Sequence, residues 1–139
     1  MTSRAATRDL SDAEYRALAD FRHALRVFLR FSEDAARAAG LTPAQHQLLL
    51  AVRGSIGHDP DITELADRLQ LKHHSVVEAL ARANDAGLVV ADADPDDHRR
   101  QRIRLTPRGA ALLRDLSVAH RDELRRFRRE MGDVLRELG

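Results

Sequence analysis

No cysteine occurs among the 139 residues. Disulfides, thiolate nucleophiles, cysteine-ligated zinc and thiol redox sensing are thereby excluded. Tryptophan is also absent, and aromatic residues make up 4% of the chain. A core must come mainly from Leu, Val and Ala, which suits packed helices better than a β-sandwich. Lysine is nearly missing: Lys72 stands alone, and every other Lys/Arg position is arginine. The cations are therefore planar, multi-donor groups that match phosphates and base edges. Charge excess is lacking too, with a formal net charge of +1. Any affinity for nucleic acid must come from local patches. No stretch nears the roughly 18 apolar residues of a membrane span. "MTSRAATRDLS" has no apolar segment of the kind a secretory leader needs. A cytoplasmic protein without membrane contact is the default expectation. There is no Gly-rich phosphate loop, nucleophile elbow or HExxH, and the many carboxylates sit beside arginines as on solvated helix faces. No enzyme and no cofactor are expected.

What is present is helical punctuation. The length suits one domain, residues 1–139. In "SDAE", Ser11 and Glu14 form a capping box, with Leu10 and Tyr15 as a hydrophobic staple. Leu18, Phe21, Leu25, Phe28, Ala35 and Ala39 then mark one stripe of a long helix that ends at Gly40, with Ser32 as its gap. "LTPAQ" opens a second helix, with Thr42 as cap, Pro43 at its first turn and Gln45 closing the box. Gly54 and "GHDP" end it. "DITELADRLQL" predicts a short third helix beginning after Thr63. "KHHSVVEALARANDAG" predicts a fourth that stops at Gly87. The period then changes: "LVV" and "RIRLT" read as two short strands, with Ile103 and Leu105 alternating with Arg102 and Arg104. "TPRG" starts a last helix, whose stripe is Leu113, Leu116, His120, Leu124, Phe127, Met131, Val134 and Leu138, and Gly132 is a possible kink.

Two short helices, a tight connection and a two-stranded ribbon form the pattern of a winged helix-turn-helix. Leu65, Ala66 and Leu69 can meet Val76, Leu80 and Ala83, and Leu71 would plug the turn. Between the strands lies "DADPDDHRRQRIRLTPRG", where acids give way abruptly to arginines. Adjacent arginines on a hairpin tip repel one another. Carboxylates just before them can hold the guanidiniums while other N–H donors stay free. A guanidinium so held can enter a narrow minor groove, where the negative potential is strongest.

The segments "GLTPAQHQLLLAV", "ELADRLQL", "SVVEALARANDAGLV" and "DPDDHRRQRIRLTPRG" together resemble the multiple-antibiotic-resistance regulator (MarR) family of transcription factors, over roughly residues 10–130. The resemblance implies a mainly α fold with a small β-wing, in which residues 10–40 and 107–138 are dimerisation helices and 41–106 the DNA-binding lobe. It also implies that Asp97 orients Arg99 at the wing tip. Lys72 stands where the family usually has a serine cap, Glu78 where an arginine is common, and no basic residue follows Leu88. Base reading would then fall on His73, His74, Ser75 and Val76, with Lys72 and Arg100 adding cations to the DNA surface. The family implies a homodimer. Independently, the two terminal apolar stripes exceed what so small a lobe can cover, and burial between two chains would use that surface at about 25 cal/mol per Å². The family further implies that small aromatic or phenolic anions bind in a cleft, for which Arg22, His23, Arg26 and His46 could supply donors.

The function expected is thus a dimeric repressor of pseudo-palindromic duplex DNA, relieved by a small ligand. Two other readings stay open. One is a winged helix used for protein–protein contact with weak DNA binding. The other is a metal-responsive regulator built on His23, His46 and His120. Adjacent His73 and His74 project about 100° apart and do not share an ion easily, and no metal site is expected.

Overall fold

The computed structural model describes residues 9–139. The residues up to 8, part of the stretch read for a secretory leader, lie outside the described residues. Along the chain run α1 (Asp12–Ala38), α2 (Pro43–Arg53), α3 (Ile62–Leu69), α4 (His73–Asp85), β1 (Val89–Ala93), β2 (Gln101–Leu105) and α5 (Pro107–Leu138). The described residues divide into two compact units. One comprises those up to Phe31 together with His120–Gly139, and the other is Ser32–Ala119. Among the described residues no helix is long and apolar enough to cross a membrane.

Helix starts follow their caps. The Glu14 N–H donates to Ser11 Oγ at 3.2 Å and the Ser11 N–H to Glu14 Oε1 at 3.1 Å. Thr42 and Gln45 repeat the exchange at α2. The third helix starts earlier than the sequence reading placed it. Asp61 caps it through the Glu64 N–H at 2.9 Å, and Glu64 completes the box. Thr63 lies inside the first turn because a buried carboxylate two residues earlier already accepts from the Glu64 N–H and caps the helix.

In the Ser32–Ala119 unit the core gathers Leu48 and Leu49 of α2, Leu65 of α3, Val76 and Leu80 of α4, Leu88 before β1, and Ile103 of β2. Val89 pairs with Leu105 and Ala93 with Gln101, in antiparallel register. A third backbone partner joins the ribbon from the α2–α3 connection, where the Ile103 N–H donates to Pro60 O at 2.9 Å. Leu71 does not plug the turn between α3 and α4. It is 46% exposed, because the turn closes through the backbone instead. Gln70 adopts a left-handed conformation and the Leu71 N–H donates to Ala66 O.

The root of the ribbon is pinned where α5 begins. Thr106 Oγ1 donates to Gly87 O at 2.6 Å and accepts from the Gly109 N–H, while the Thr106 N–H donates to Leu88 O. Gly109 passes so close that a Cβ there would lie 2.1 Å from the Leu88 carbonyl oxygen. Only glycine fits.

In the other unit Phe28 and Phe127 bring α1 against α5, with ring centroids 5.5 Å apart. His120 meets Phe31 edge-on at 5.3 Å and Phe28 at 6.3 Å. Ala17 and Ala24 are buried on α1, as is Val134 on α5. The anticipated stripe is only partly covered: Leu18, Leu124 and Leu138 remain 43%, 53% and 40% exposed. Gly132 does not divide α5, which is continuous from Pro107 to Leu138.

Candidate nucleic-acid interface

Helix α4 begins at an uncapped end. Lys72 sits at the N-cap in an extended conformation and makes no side-chain hydrogen bond to the helix. The first N–H groups of α4 are therefore not covered by a capping side chain. His73 and His74 are exposed beside them and Ser75 is half-buried. Val76 corrects the sequence reading. It is 0% exposed in the core against α3, so it positions the helix and cannot meet a base. The next aliphatic residue, Val77, is the exposed one, at 42%. Helical geometry gives the reason: Val76, Leu80 and Ala83 share the inward stripe.

The wing tip, residues 94–100, is held by an acid–arginine lattice. Asp97 Oδ1 accepts from the Arg99 backbone N–H at 3.1 Å and from Arg99 Nε at 3.3 Å. The Arg99 side chain is otherwise 91% exposed, so its terminal nitrogens project from a fixed root. Arg100 is shared between Asp97 at 3.9 Å and Asp61 at 3.6 Å, the second tie reaching the cap of α3.

The strongest part of the lattice involves residues that the sequence did not single out. Asp94 is 5% exposed. One of its carboxylate oxygens accepts from the Asp96 N–H at 2.8 Å, the other from Arg102 Nε at 2.7 Å. Arg102 also donates through Nη1 to Asp59 O at 3.2 Å and to Glu64 Oε1 at 3.3 Å. Glu64 in turn holds His58 Nε2 at 2.5 Å. The backbone closes the same loop, with the Asp94 N–H donating to Arg100 O and the Arg100 N–H to Asp97 O. The wing is thus clasped to the α2–α3 connection and to the first turn of α3. On the outer strand face Arg104 pairs with Asp92 at 2.9 Å.

Charge settings follow the geometry. The Asp94 carboxyl is held below the usual carboxylate range, first by the Asp96 N–H and then by Arg102. His58 is raised above its ordinary value by its hydrogen bond and charge interaction with Glu64. A histidine with a raised folded-state pKa adds stability that is complete below its unfolded value of about 6.5 and is lost as pH climbs through the folded value. Lowering the pH from 8 to 6 should therefore protect the wing from limited proteolysis in the wild type and leave a His58→Gln variant indifferent. Equal pH response in both proteins would remove His58 from the clasp.

The ligand donors suggested by sequence belong to different units. Arg22, His23 and Arg26 are exposed on α1 in one unit, whereas His46 on α2 is 3% exposed in the other. His46 falls on the inward face of α2 with Leu49. Among the described residues no group of three or more His, Asp or Glu side chains could hold a metal ion.

Residues 39–100, from the end of α1 through the wing tip, match a family model described as MarR family. A crystal structure of a MarR family transcription regulator is 27% identical, covering 84% of this chain and 76% of its own, with a TM-score of 0.72. Over residues 39–100, and in its fold, the chain is thus similar to MarR family regulators. Its fold is that of the winged-helix MarR structures. A second similar structure is the Mycobacterium tuberculosis transcriptional regulator MosR in complex with DNA, 28% identical, with a TM-score of 0.58 and coverage of 81% of this chain and 88% of that one. Among curated proteins, one from Thauera aromatica assigned to transcriptional regulation of the hcr operon is 25% identical over 114 residues, or 81% of this chain. The chain spans 66% of that relative's length.

Proposed function

We propose that this chain is a MarR-family regulator, a cytoplasmic homodimeric repressor that grips a pseudo-palindromic duplex and is released by a small aromatic or phenolic acid. The observation carrying the DNA-binding half is Arg99, a guanidinium 91% exposed on a wing that a lattice of carboxylates holds in place. A freely moving arginine would lose rotamer freedom on binding. One whose root is already fixed loses less. The uncapped start of α4 supplies the second element, since free N–H groups at a helix N-terminus attract phosphate. Lys72 adds a cation there, and His73, His74 and Ser75 would meet base edges in the major groove while Arg99 enters the minor groove. Similarity to MosR, whose structure is a complex with DNA, supports binding to DNA.

The terminal regions support the dimer. Leu18, Leu29, Leu124 and Leu135 are each more than 40% exposed, apolar side chains that a second copy would cover. Residues 10–40 and 107–138 are the proposed dimerisation helices around the 41–106 lobe, and the whole acts as one domain in the dimer. Two-fold pairing would set the α4 helices about 34 Å apart, one turn of DNA. An effector would act by binding one spacing of those helices better than the other. Arg22, His23 and Arg26 are the donors proposed for it.

Selection of bound duplexes from a random pool, with and without a panel of aromatic acids, tests this reading. A palindromic consensus is expected, depleted when an acid is present. A His73→Ala variant should change the consensus more than the affinity for random duplex. Equal loss on selected and random DNA would assign His73 to the phosphates, and no enrichment at all would favour a protein-contact role for the winged helix.

A further inference from the structure

The last helix carries a feature that DNA recognition by α4 and the wing leaves unused. Arg125, Arg128, Arg129 and Arg136 line one open groove of about 650 Å³ with Gly132 and Asp133. At about 100° per residue these positions lie roughly opposite the stripe of His120, Phe127, Met131 and Val134. Four guanidiniums stand there against one lining carboxylate.

The acids of this segment are already engaged. Asp122 holds Arg125 at 3.7 Å, Glu123 and Glu130 both hold Arg126, and Asp133 holds Arg136. Among the described residues Arg128 and Arg129 have no carboxylate within ion-pair distance. Gly132 is the second observation. It lies inside a continuous helix, where glycine is unfavourable relative to alanine. A Cβ at this position would meet nothing within 4 Å, so packing does not require the glycine. Its effect is to leave a hollow in the middle of the arginine face.

We propose that this hollow is a binding site for a compact polyphosphate-bearing small molecule, held by Arg128 and Arg129 with Arg125 and Arg136 at its rim. A lone carboxylate occupies a single guanidinium fork, whereas a short phosphate chain can engage several, each through bidentate hydrogen bonds. The volume lies within the range of small-molecule sites. A duplex is a poorer occupant, because a rod meets the rim of a hollow before its floor.

Titrating the full-length chain with sodium tripolyphosphate by calorimetry, at constant ionic strength, tests the assignment. One saturable site per chain is expected. Arg128→Gln combined with Arg129→Gln should weaken it at least tenfold, leaving the unliganded melting temperature and duplex affinity unchanged. Gly132→Ala should raise the melting temperature yet weaken the anion, the opposite of a merely structural role. Arg99→Ala should leave it intact. The assignment is overturned if sulfate at matched ionic strength gives the same heat. It is equally overturned if the arginine pair can be removed without effect, if the Arg99 variant abolishes binding, or if a short duplex competes the anion away only from chains with Arg128 and Arg129 intact.

Discussion

Replacing Gly109 with alanine should lower the unfolding free energy by about 3 kcal/mol, the upper part of the range for forcing extra volume into a packed site. The obstacle is backbone. A Cβ at Gly109 would sit 2.1 Å from the Leu88 carbonyl oxygen and 3.0 Å from its carbonyl carbon. No rotamer change can relieve this, so either α5 or the segment entering β1 must move. Movement there is transmitted to the wing. Leu88 O accepts from the Thr106 N–H at 3.0 Å, and these two residues precede β1 and follow β2. The urea midpoint should fall, and the variant should lose DNA affinity even under conditions where it is fully folded. An unchanged midpoint would show that the start of α5 is held more loosely than its contacts imply.

The second large effect concerns the salt dependence of DNA binding. Each phosphate neutralised by a cation contributes about 0.9 to the slope of log K against log salt. Removing Arg99 from both wings of a dimer should make that slope shallower by about two, with stability unchanged because its side chain is 91% exposed. Arg102→Ala should differ in kind. Arg102 is 29% exposed and faces Asp94, whose side chain is 7% exposed. Its loss leaves a buried carboxylate without its cation and unfastens the ribbon from Asp59 and Glu64. Affinity should fall together with stability and with protection of the wing against protease. If Arg99→Ala destabilised the protein while Arg102→Ala did not, the two roles would be exchanged.

These two arginines also mark the limit of what the chain reveals as text. A brace of acids before arginines was legible because both lie in one short stretch, and the family resemblance supplied the pairing of Asp97 with Arg99. The role of Arg102 was not legible, since its partners Asp59 and Glu64 lie 43 and 38 residues away and only the folded ribbon brings them together. Asp94 looked like one acid among several in an acidic run, and burial alone separates it from Asp96. The capping boxes at Ser11 and Thr42 were readable because their chemistry is local. The same logic could have found Asp61, whose Asp-x-x-Glu spacing matches them, but Thr63 offered a nearer and misleading cap. Val76 was misplaced for a different reason. The first turn of a recognition helix has one inward position, and only its phase relative to Leu80 and Ala83 identifies it. Leu71 was expected to fill a gap that the left-handed Gln70 closes through the backbone.

The most direct measurement is sedimentation of the purified chain with a selected duplex over a series of salt concentrations. Two protomers per duplex are expected, with log K falling steeply and linearly as log salt rises. A chain that stays monomeric at micromolar concentration and binds every duplex weakly, with no response to salt, would contradict the paired helix-and-wing grip on DNA.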